Sequence, residues 1–277
     1  MKSKQRNAGS PPLNKADVKA REREWQDNIG NQVIERSFQW PGTRLIFEHQ
    51  FKLILNEINS AEKGMILEIG CGRGQLLEYL SANLDARVPL FVGLDISTKL
   101  AELKQKYPPR LKWITADGER LPFAADAFDT IVYNGSLHHL PDFKDALHDA
   151  LRCLKKNGRI IFLEPVSTFF SRLVLHLQAP FVFKQVEFES PVDHHYKDNF
   201  KLKELKTELE RSGIHYRLSW HDFLAYPLTR CYKGSFLSSR PRLVGALLRF
   251  EYFLRRIPVI RSLCNAVSWR LLMVIDK

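Results

Sequence analysis

The chain has 277 residues, of which 44% are hydrophobic and 26% are charged, so the composition excludes a disordered chain and allows one sizeable core. The formal net charge is +11, and the excess lies at the ends: residues 50–165 hold fifteen basic and fifteen acidic side chains, whereas residues 197–277 hold sixteen basic and seven acidic ones. The four cysteines are scattered without a C-x-x-C pair, which argues against a disulfide framework or a metal site built on cysteine.

The first 25 residues are polar, with seven basic and three acidic side chains. They predict a flexible basic arm in front of a single domain over residues 26–277. This arm has no apolar segment typical of a signal peptide, and no run of about 18 apolar residues follows it. We therefore expect a cytoplasmic protein without a spanning helix.

Apolar periodicity predicts helices and strands that alternate along the middle of the chain. An early helix carries one apolar face, which consists of Phe47, Phe51, Ile54, Leu55 and Ile58. The predicted strands are MILEIG, LFVGLD, LKWITAD, FDTIVYNGSL and RIIFLEP, and the predicted helices are QLLEYLSANL, TKLAELKQKY and FKDALHDALRCLKKNG, the last with Gly158 at its end. Nearly continuous apolar strands that alternate with helices predict an α/β fold, doubly wound around a mostly parallel sheet.

The regular alternation of predicted strands and helices ends after Pro165. Segments at about residues 166–200 and 235–265 predict a helical cap that covers the substrate side of the domain. Between and after them, KLKELKTELERSG predicts a helix, and IHYRLSWHDFL and SWRLLMVIDK predict strands.

The second cap segment contains a basic amphipathic helix, RPRLVGALLRFEYFLRRIPVIRS. Its apolar stripe consists of Leu243, Leu247, Phe250 and Leu254, with arginines along the flank. Such a helix fits the surface of an anionic membrane, which makes residues 240–262 a candidate membrane contact. It fits equally well a helix packed on its own domain, with arginines that reach out to water.

Three glycines follow the first predicted strand in ILEIGCGRGQ, at Gly70, Gly72 and Gly74. Glycine allows positive φ and lets a ligand approach the backbone closely. The dinucleotide fingerprint G-x-G-x-x-G requires a further glycine where Gln75 stands. The loop therefore disfavours a nicotinamide cofactor, and it leaves S-adenosylmethionine or a plain tight turn open.

Acidic side chains occupy the neighbouring strands. Asp95 ends the second strand, 21 residues beyond Gly74, where a carboxylate can accept hydrogen bonds from ribose hydroxyls. Asp117 follows the third strand with Gly118, and this pair suits either an adenine edge or a helix cap. Glu68 lies inside the first strand and needs hydrogen-bond donors there.

These motifs together resemble those of class I S-adenosylmethionine-dependent methyltransferases, in the type 11 group that includes the ubiquinone and menaquinone C-methyltransferases. The resemblance covers about residues 60–165, the predicted cofactor-binding core, and the final strand. It implies a Rossmann-like sheet of seven strands and S-adenosyl-L-methionine as the cofactor. It also implies that Glu68, Gly70, Gly72 and Gly74 surround the methionine part, that Asp95 holds the ribose, that Asp117 and Gly118 flank the adenine, and that Asn134 contacts the cofactor from the fourth strand.

Histidines supply the candidate catalytic groups. His138 and His139 in SLHHLPD follow the fourth strand, where the acceptor should arrive, so either is a candidate general base and a packing turn is the alternative. His194 and His195 in PVDHHYKDNF form a second candidate, as a base or as metal ligands, against a surface loop as the alternative. No other ligand spacing supports a metal, and we predict none.

The sequence thus predicts a methyltransferase that acts by direct transfer on a small acceptor, hydrophobic or lipid-linked. The charge leaves open a methyltransferase of nucleic acid or protein, although no RNA-binding module or N-P-P-Y motif is present and we expect no nucleic-acid partner. The third hypothesis is a non-catalytic binding protein that keeps the cofactor-binding fold. The intact glycine loop and Asp95 argue against it.

Overall fold

A computed structural model of the protein describes residues 14–59, 64–84, 90–166, 202–229 and 234–277. Its centre is a sheet of seven strands in the order β3-β2-β1-β4-β5-β7-β6. The strands are β1 Ile66–Ile69, β2 Phe91–Asp95, β3 Leu111–Thr115, β4 Phe128–Asn134, β5 Leu154–Pro165, β6 Tyr216–His221 and β7 Arg270–Asp276. Only β7 runs antiparallel to its two neighbours, β5 and β6. The predicted doubly wound, mostly parallel sheet is confirmed.

Helices cover both faces of this sheet. They are α1 Lys15–Trp25, α2 Asn31–Gln39, α3 Pro41–Asn59, α4 Gln75–Asn83, α5 Leu100–Lys106, α6 Phe143–Cys153, α7 Leu202–Arg211, α8 Ala225–Thr229, α9 Pro241–Arg255 and α10 Pro258–Ala266. Helices α3, α4, α5 and α9 contribute to the core on one face, whereas α6 and α7 contribute to the core on the other. None of these described helices combines the length and apolar character that crossing a bilayer demands.

The apolar face predicted for the early helix lies on α3, and all five of its residues are buried against the sheet. Their spacing places them on one side of a helix of 3.6 residues per turn, so burying that side removes them from water together. The prediction for this helix is confirmed.

The expected flexible arm differs from the structure in its second half. Residues 15–25 form α1, and the side chain of Asn14 caps it by accepting a hydrogen bond from the N–H of Asp17 at 2.9 Å. The charged side chains of α1 do not all face water, because Lys15 pairs with Glu119 at 3.0 Å and Lys19 pairs with Asp117 at 2.6 Å. The part of the arm before residue 14 lies outside the described residues.

Helix α6 is shorter than its apolar pattern predicts. It ends at Cys153, and Leu154 begins β5 beside Phe128. Within this strand Asn157 adopts a left-handed conformation with φ of 67°, at the irregular part of its pairing with β4, between Leu154 and Arg159. The placement of Gly158 at the end of α6 is therefore wrong, since it lies within β5.

The basic amphipathic stretch contains the predicted helix, α9, and a second helix, α10, after it. Pro258 begins α10, and a proline is tolerated in a first turn but not inside a helix. The other predicted cap segment, which contains His194 and His195, lies outside the described residues.

Candidate active site

A cavity of about 580 Å³ lies at the edge of the sheet where β1, β2 and β4 end. Parallel strands bring their carboxyl ends to one edge, and this is where α/β folds bind their ligands. On the opposite side the cavity is closed by α1, α2 and the π-helical turn Gln26–Gly30 between them. Its volume suits a ligand of cofactor size.

Seven of the eight predicted cofactor residues line this cavity. They are Glu68, Gly70, Gly72, Asp95, Asp117, Gly118 and Asn134. Both histidines of SLHHLPD line it too. The exception is Gly74, which does not belong to the cavity wall.

The three loop glycines all have positive φ angles, which are 74° at Gly70, 52° at Gly72 and 79° at Gly74. Their surroundings differ. A Cβ atom on Gly74 would lie 2.4 Å from the ring of Trp113, so this glycine lets the loop pack on β3. A Cβ atom on Gly70 would lie 2.3 Å from that of Ser136. Only at Gly72 would an added Cβ atom have space, because the nearest atom outside the adjoining residues would lie 3.9 Å from it. A ligand can therefore approach the backbone on this side of Gly72.

Asp95 is held in place by the loop that it faces. One carboxylate oxygen accepts the N–H of Gly72 at 2.8 Å, and the other accepts the N–H of Ser97 at 2.9 Å. Burial raises the pKa of Asp95, while these two backbone hydrogen bonds oppose the shift. Each oxygen keeps a second lone pair, so the carboxylate can still accept hydroxyl donors from a ligand.

Glu68 is a buried acid in the wall of the cavity. It is 2% exposed, and its Oε2 atom is buried without a hydrogen bond to any atom of the described residues. Burial and the nearby charge of Asp95 raise the pKa of Glu68 well above its usual value. A buried carboxyl in this state would be stabilised by a cationic or hydrogen-donating ligand.

Asp117 and Gly118 lie where the third strand leaves the sheet. One oxygen of Asp117 accepts the N–H of Glu119 at 3.0 Å, and the other lies 2.6 Å from Nζ of Lys19. The ammonium of Lys19 also lies 2.5 Å from the carboxylate of Glu119, which is almost fully buried. Helix α1 is thereby fastened to this edge of the cavity. A Cβ atom added to Gly118 would lie 3.0 Å from Ile69 and 3.2 Å from Leu140, so this glycine packs closely on both side chains.

His138 forms a buried pair with Glu164. Its Nδ1 atom lies 2.7 Å from Oε2 of Glu164, a carboxyl with no solvent exposure at the end of β5. The other oxygen of Glu164 accepts the N–H groups of Ser136 and Leu137 at 3.0 and 2.9 Å. Glu164 was not among the residues predicted from the sequence, although it lies near the end of β5, at the same edge of the sheet as Asp95.

The pKa values of this pair shift in the same direction. Burial alone would raise the pKa of Glu164, but the hydrogen bonds from His138 and the backbone outweigh it and hold the pKa below its usual value. Burial and the charge of His139 lower the pKa of His138, against the opposing influence of Glu164. At neutral pH the pair is therefore a carboxylate and a neutral imidazole. Nδ1 donates to the carboxylate, and Nε2 carries the lone pair.

His139 is engaged differently. Its Nδ1 atom lies 3.2 Å from the carboxylate of Glu22 on α1, and its ring centre lies 4.0 Å from that of His138. Glu22, like Lys19, belongs to the segment that the sequence predicted as a loose arm. No signal within the strand pattern pointed to either residue.

The far wall of the cavity is aromatic. The rings of Phe38 and Phe47 stack at 4.7 Å, and Phe51 lies beside Phe38 at 6.1 Å. Arg270, at the first position of β7, lies 5.2 Å from the ring of Tyr226 in a cation–π contact. These residues all line the cavity, which therefore combines a polar edge with an apolar wall and one buried cation.

A buried acidic cluster supports this wall from behind. The side chain of Gln50, which lines the cavity, donates to Asp222 at 2.5 Å. Glu251 on α9 accepts the N–H groups of Leu224 and Ala225, at 2.6 and 2.5 Å, where α8 begins. Burial and the charge of Asp222 raise the pKa of Glu251 to about 7, because ionisation would place a second charge in the interior.

Comparison with known proteins matches residues 67–162 to a methyltransferase domain family, the type 11 group Methyltransf_11. The ubiquinone/menaquinone biosynthesis C-methyltransferase of Geotalea daltonii is 31% identical over 119 residues, 41% of this chain and 50% of that protein. The phthiotriol/phenolphthiotriol dimycocerosates methyltransferase of Mycobacterium leprae is 31% identical over 101 residues, 36% of this chain and 37% of that protein. The chain spans about half the length of the first of these relatives.

A solved structure resembles almost the whole chain. The plantazolicin methyltransferase BpumL, in complex with SAH, is 18% identical and covers 94% of this chain and 95% of its own, with a TM-score of 0.58. At this identity the likeness establishes the fold alone. Together with the strand order, it assigns the chain to the Rossmann-like methyltransferase fold.

Proposed function

We propose that the protein transfers a methyl group from S-adenosyl-L-methionine to a small apolar acceptor, because residues 67–162 match a methyltransferase domain family. The observation that carries the proposal is the unsatisfied carboxyl of Glu68, buried beside Asp95 at the end of the matched β1 and β2 strands. The cofactor carries an ammonium group, which can donate to the unpaired oxygen of Glu68, and ribose hydroxyls, which can donate to the remaining lone pairs of Asp95.

The remaining cavity residues fit the same molecule. S-adenosylmethionine supplies, when bound, a methyl group that its sulfonium already activates. Gly72 would leave its backbone open to the methionine part, and Glu68 would face the ammonium group. Asp95 would accept the ribose hydroxyls. Asp117 and Gly118 would flank the adenine, and Asn134 would contact the cofactor from β4; all of these residues line the cavity.

The chain's own contribution to the reaction would be alignment, exclusion of water and removal of one proton. We propose His138 as the general base, since its neutral imidazole presents a lone pair on Nε2 while Glu164 fixes the ring through Nδ1. Glu164 is then a positioning residue. His139 is the second candidate, and its contact with Glu22 makes it better suited to hold α1 over the site. A base is needed only if the acceptor is a hydroxyl or an acidic carbon.

The acceptor is proposed to be hydrophobic because the wall opposite the polar edge consists of Phe38, Phe47 and Phe51. The names of two relatives support this choice, since a quinone and a dimycocerosate are both largely apolar. A nucleic acid or protein acceptor would require an open, polar entrance. A cytoplasmic location belongs to the same proposal.

Calorimetry with S-adenosylhomocysteine tests cofactor binding. Asp95→Ala should weaken the binding by about 1–3 kcal/mol, because the ribose hydroxyls lose their buried acceptor. Glu24→Ala removes an exposed carboxylate on α1 outside the cavity and is the matched control, with unchanged binding. Wild-type protein that gives no binding heat would reject the methyltransferase in favour of a non-catalytic role.

Isotope transfer tests the base. Cell extracts incubated with methyl-labelled cofactor and the protein should yield a labelled apolar product, which chromatography and mass spectrometry identify. His138→Asn should abolish labelling and keep the affinity for S-adenosylhomocysteine. Full labelling by this variant would remove His138 from the mechanism without affecting the assignment of the cofactor.

A further inference from the structure

The outer surface of α9 and α10 carries an unusual concentration of apolar side chains. In the part of the chain that the structure describes, every exposed large apolar side chain lies between residues 228 and 263. The most exposed of them are Val259 at 76%, Phe236 at 66%, Leu263 at 65%, Tyr252 at 64% and Phe253 at 58%. Single exposed apolar residues are ordinary, but a contiguous group marks an interaction site.

Helix α9 has an inner face, which packs on the domain, and an outer face, which is exposed. Val244 and Glu251 are buried on the inner face, toward α3, and Gly245 approaches Leu45 of that helix. Phe253 lies on the opposite side of the helix. The stripe predicted from the sequence lies between these two faces: Leu243 and Phe250 are 46% and 50% exposed, whereas Leu247 and Leu254 are partly buried. Packing on the domain therefore uses one side of α9 and leaves the other side uncovered.

The same surface is strongly basic. Arg240, Arg242, Arg249, Arg256 and Arg261 are all exposed, and none of them pairs with a carboxylate of a described residue. The only acidic residue between positions 236 and 263 is Glu251, which is turned inward and is 4% exposed. The outer surface thus presents apolar rings and cations of a single sign.

We propose that this surface, the α9–α10 face formed by Phe236, Leu243, Phe250, Tyr252, Phe253, Val259 and Leu263 with the five arginines, docks the protein on an anionic lipid membrane. Aromatic and aliphatic side chains enter the interfacial layer, while arginine stems reach the phosphates of the lipids. A nucleic acid would match the cations but not the apolar side chains between them. A protein partner would need an equally apolar and acidic surface.

Docking in this way would also place the active site close to the lipid. Helix α9 packs on α3, and α3 supplies Phe47 and Phe51 to the aromatic wall of the cavity. An apolar acceptor could then pass from the membrane to this wall over a short distance. The docking itself does not depend on the proposed function and can be measured without an acceptor.

The experiment is co-sedimentation of the full chain with vesicles of phosphatidylcholine, alone or with about one-third phosphatidylglycerol. We expect binding to the anionic vesicles only, weakened by salt. Phe253→Ser with Val259→Ser should abolish it. Arg249→Gln with Arg256→Gln should weaken it roughly twenty-five-fold, because each cation near an anionic surface contributes a factor of about five. All four side chains are exposed, so the variants should fold, and retained affinity for S-adenosylhomocysteine verifies this independently.

The control is Lys104→Gln with Lys112→Gln, which removes the same charge from exposed positions on α5 and β3. It should leave vesicle binding unchanged. Equal loss in the control and in the arginine variant would reduce the effect to net charge and overturn the proposal. So would sedimentation of the wild-type protein as a dimer that the Phe253→Ser and Val259→Ser changes dissociate. Preferential binding of RNA that competes with vesicles would also overturn it.

Discussion

Replacing Glu251 by glutamine gives a direct test of the buried acidic cluster behind the cavity. The pKa of Glu251 rises from 4.5 to about 7 on folding, so the folded protein holds its carboxyl protonated where the unfolded chain ionises it. This raised pKa contributes stability that is fully present below pH 4.5 and is lost as the pH rises through 7. With about 1.4 kcal/mol for each pKa unit, the loss is about 3 kcal/mol.

Glutamine imitates the protonated acid, and its carbonyl can still accept the N–H groups of Leu224 and Ala225. We therefore expect Glu251→Gln to match the wild type near pH 4 and to exceed it by about 3 kcal/mol near pH 8. Urea unfolding across this pH range measures the difference, and the other titrating groups cancel because both proteins share them. The exposed Glu24→Gln serves as the control for the removal of one carboxyl group from the surface. A difference that stays constant from pH 4 to pH 8, or that favours the wild type at high pH, would refute the reasoning.

Three further outcomes follow from contacts in the site. Gly74→Ala should lower the free energy of unfolding by more than Gly213→Ala, measured in urea. Both have positive φ, which costs about 1–2 kcal/mol for alanine, but only at Gly74 would the new Cβ atom meet Trp113. Lys19→Met should speed tryptic cleavage within α1, because Asp117 would lose its cation and Glu119 one of its two; equal cleavage rates would contradict this. If His138 is the base, the pH profile of methyl transfer should lose activity only below pH 6.5, since burial lowers the pKa of His138, and a limb above 6.5 would count against it.

Much of the fold and of the polar edge could be predicted because both follow from local pattern. Apolar strands that alternate with helices leave few topologies, and parallel strands gather their carboxyl ends at one edge. For that reason Glu68, Asp95 and Asp117, which are far apart in the chain, could be assigned to one site, and all three line the cavity. Glu164 also lies at the carboxyl end of a strand, so the same argument could have predicted it as a site residue.

The rest depends on contacts between distant segments, which no local pattern reveals. From the sequence alone, the charges of Lys19 and Glu22 indicate a solvated arm. In the structure these side chains pair with Asp117 and His139, which no local pattern predicts. The sequence pattern predicts that Gly74 binds the ligand, yet its positive φ and its close approach to the ring of Trp113 already explain why a glycine stands there. The spacing of the stripe on α9 does not say how much of it the domain covers, because coverage depends on where α3 lies.

The place of β7 in the sheet has a consequence for how the chain is made. Among the described strands, β6 lies at the edge of the sheet and pairs only with β7, and β7 also completes the pairing of β5. During synthesis both strands leave the ribosome before residues 270–276 and must wait for them with backbone groups unpaired. Such non-local pairing slows folding and exposes apolar strands to other chains. The nascent protein should therefore depend on chaperones until β7 has emerged, and a ribosome-bound chain that stops before residue 270 should be sensitive to protease.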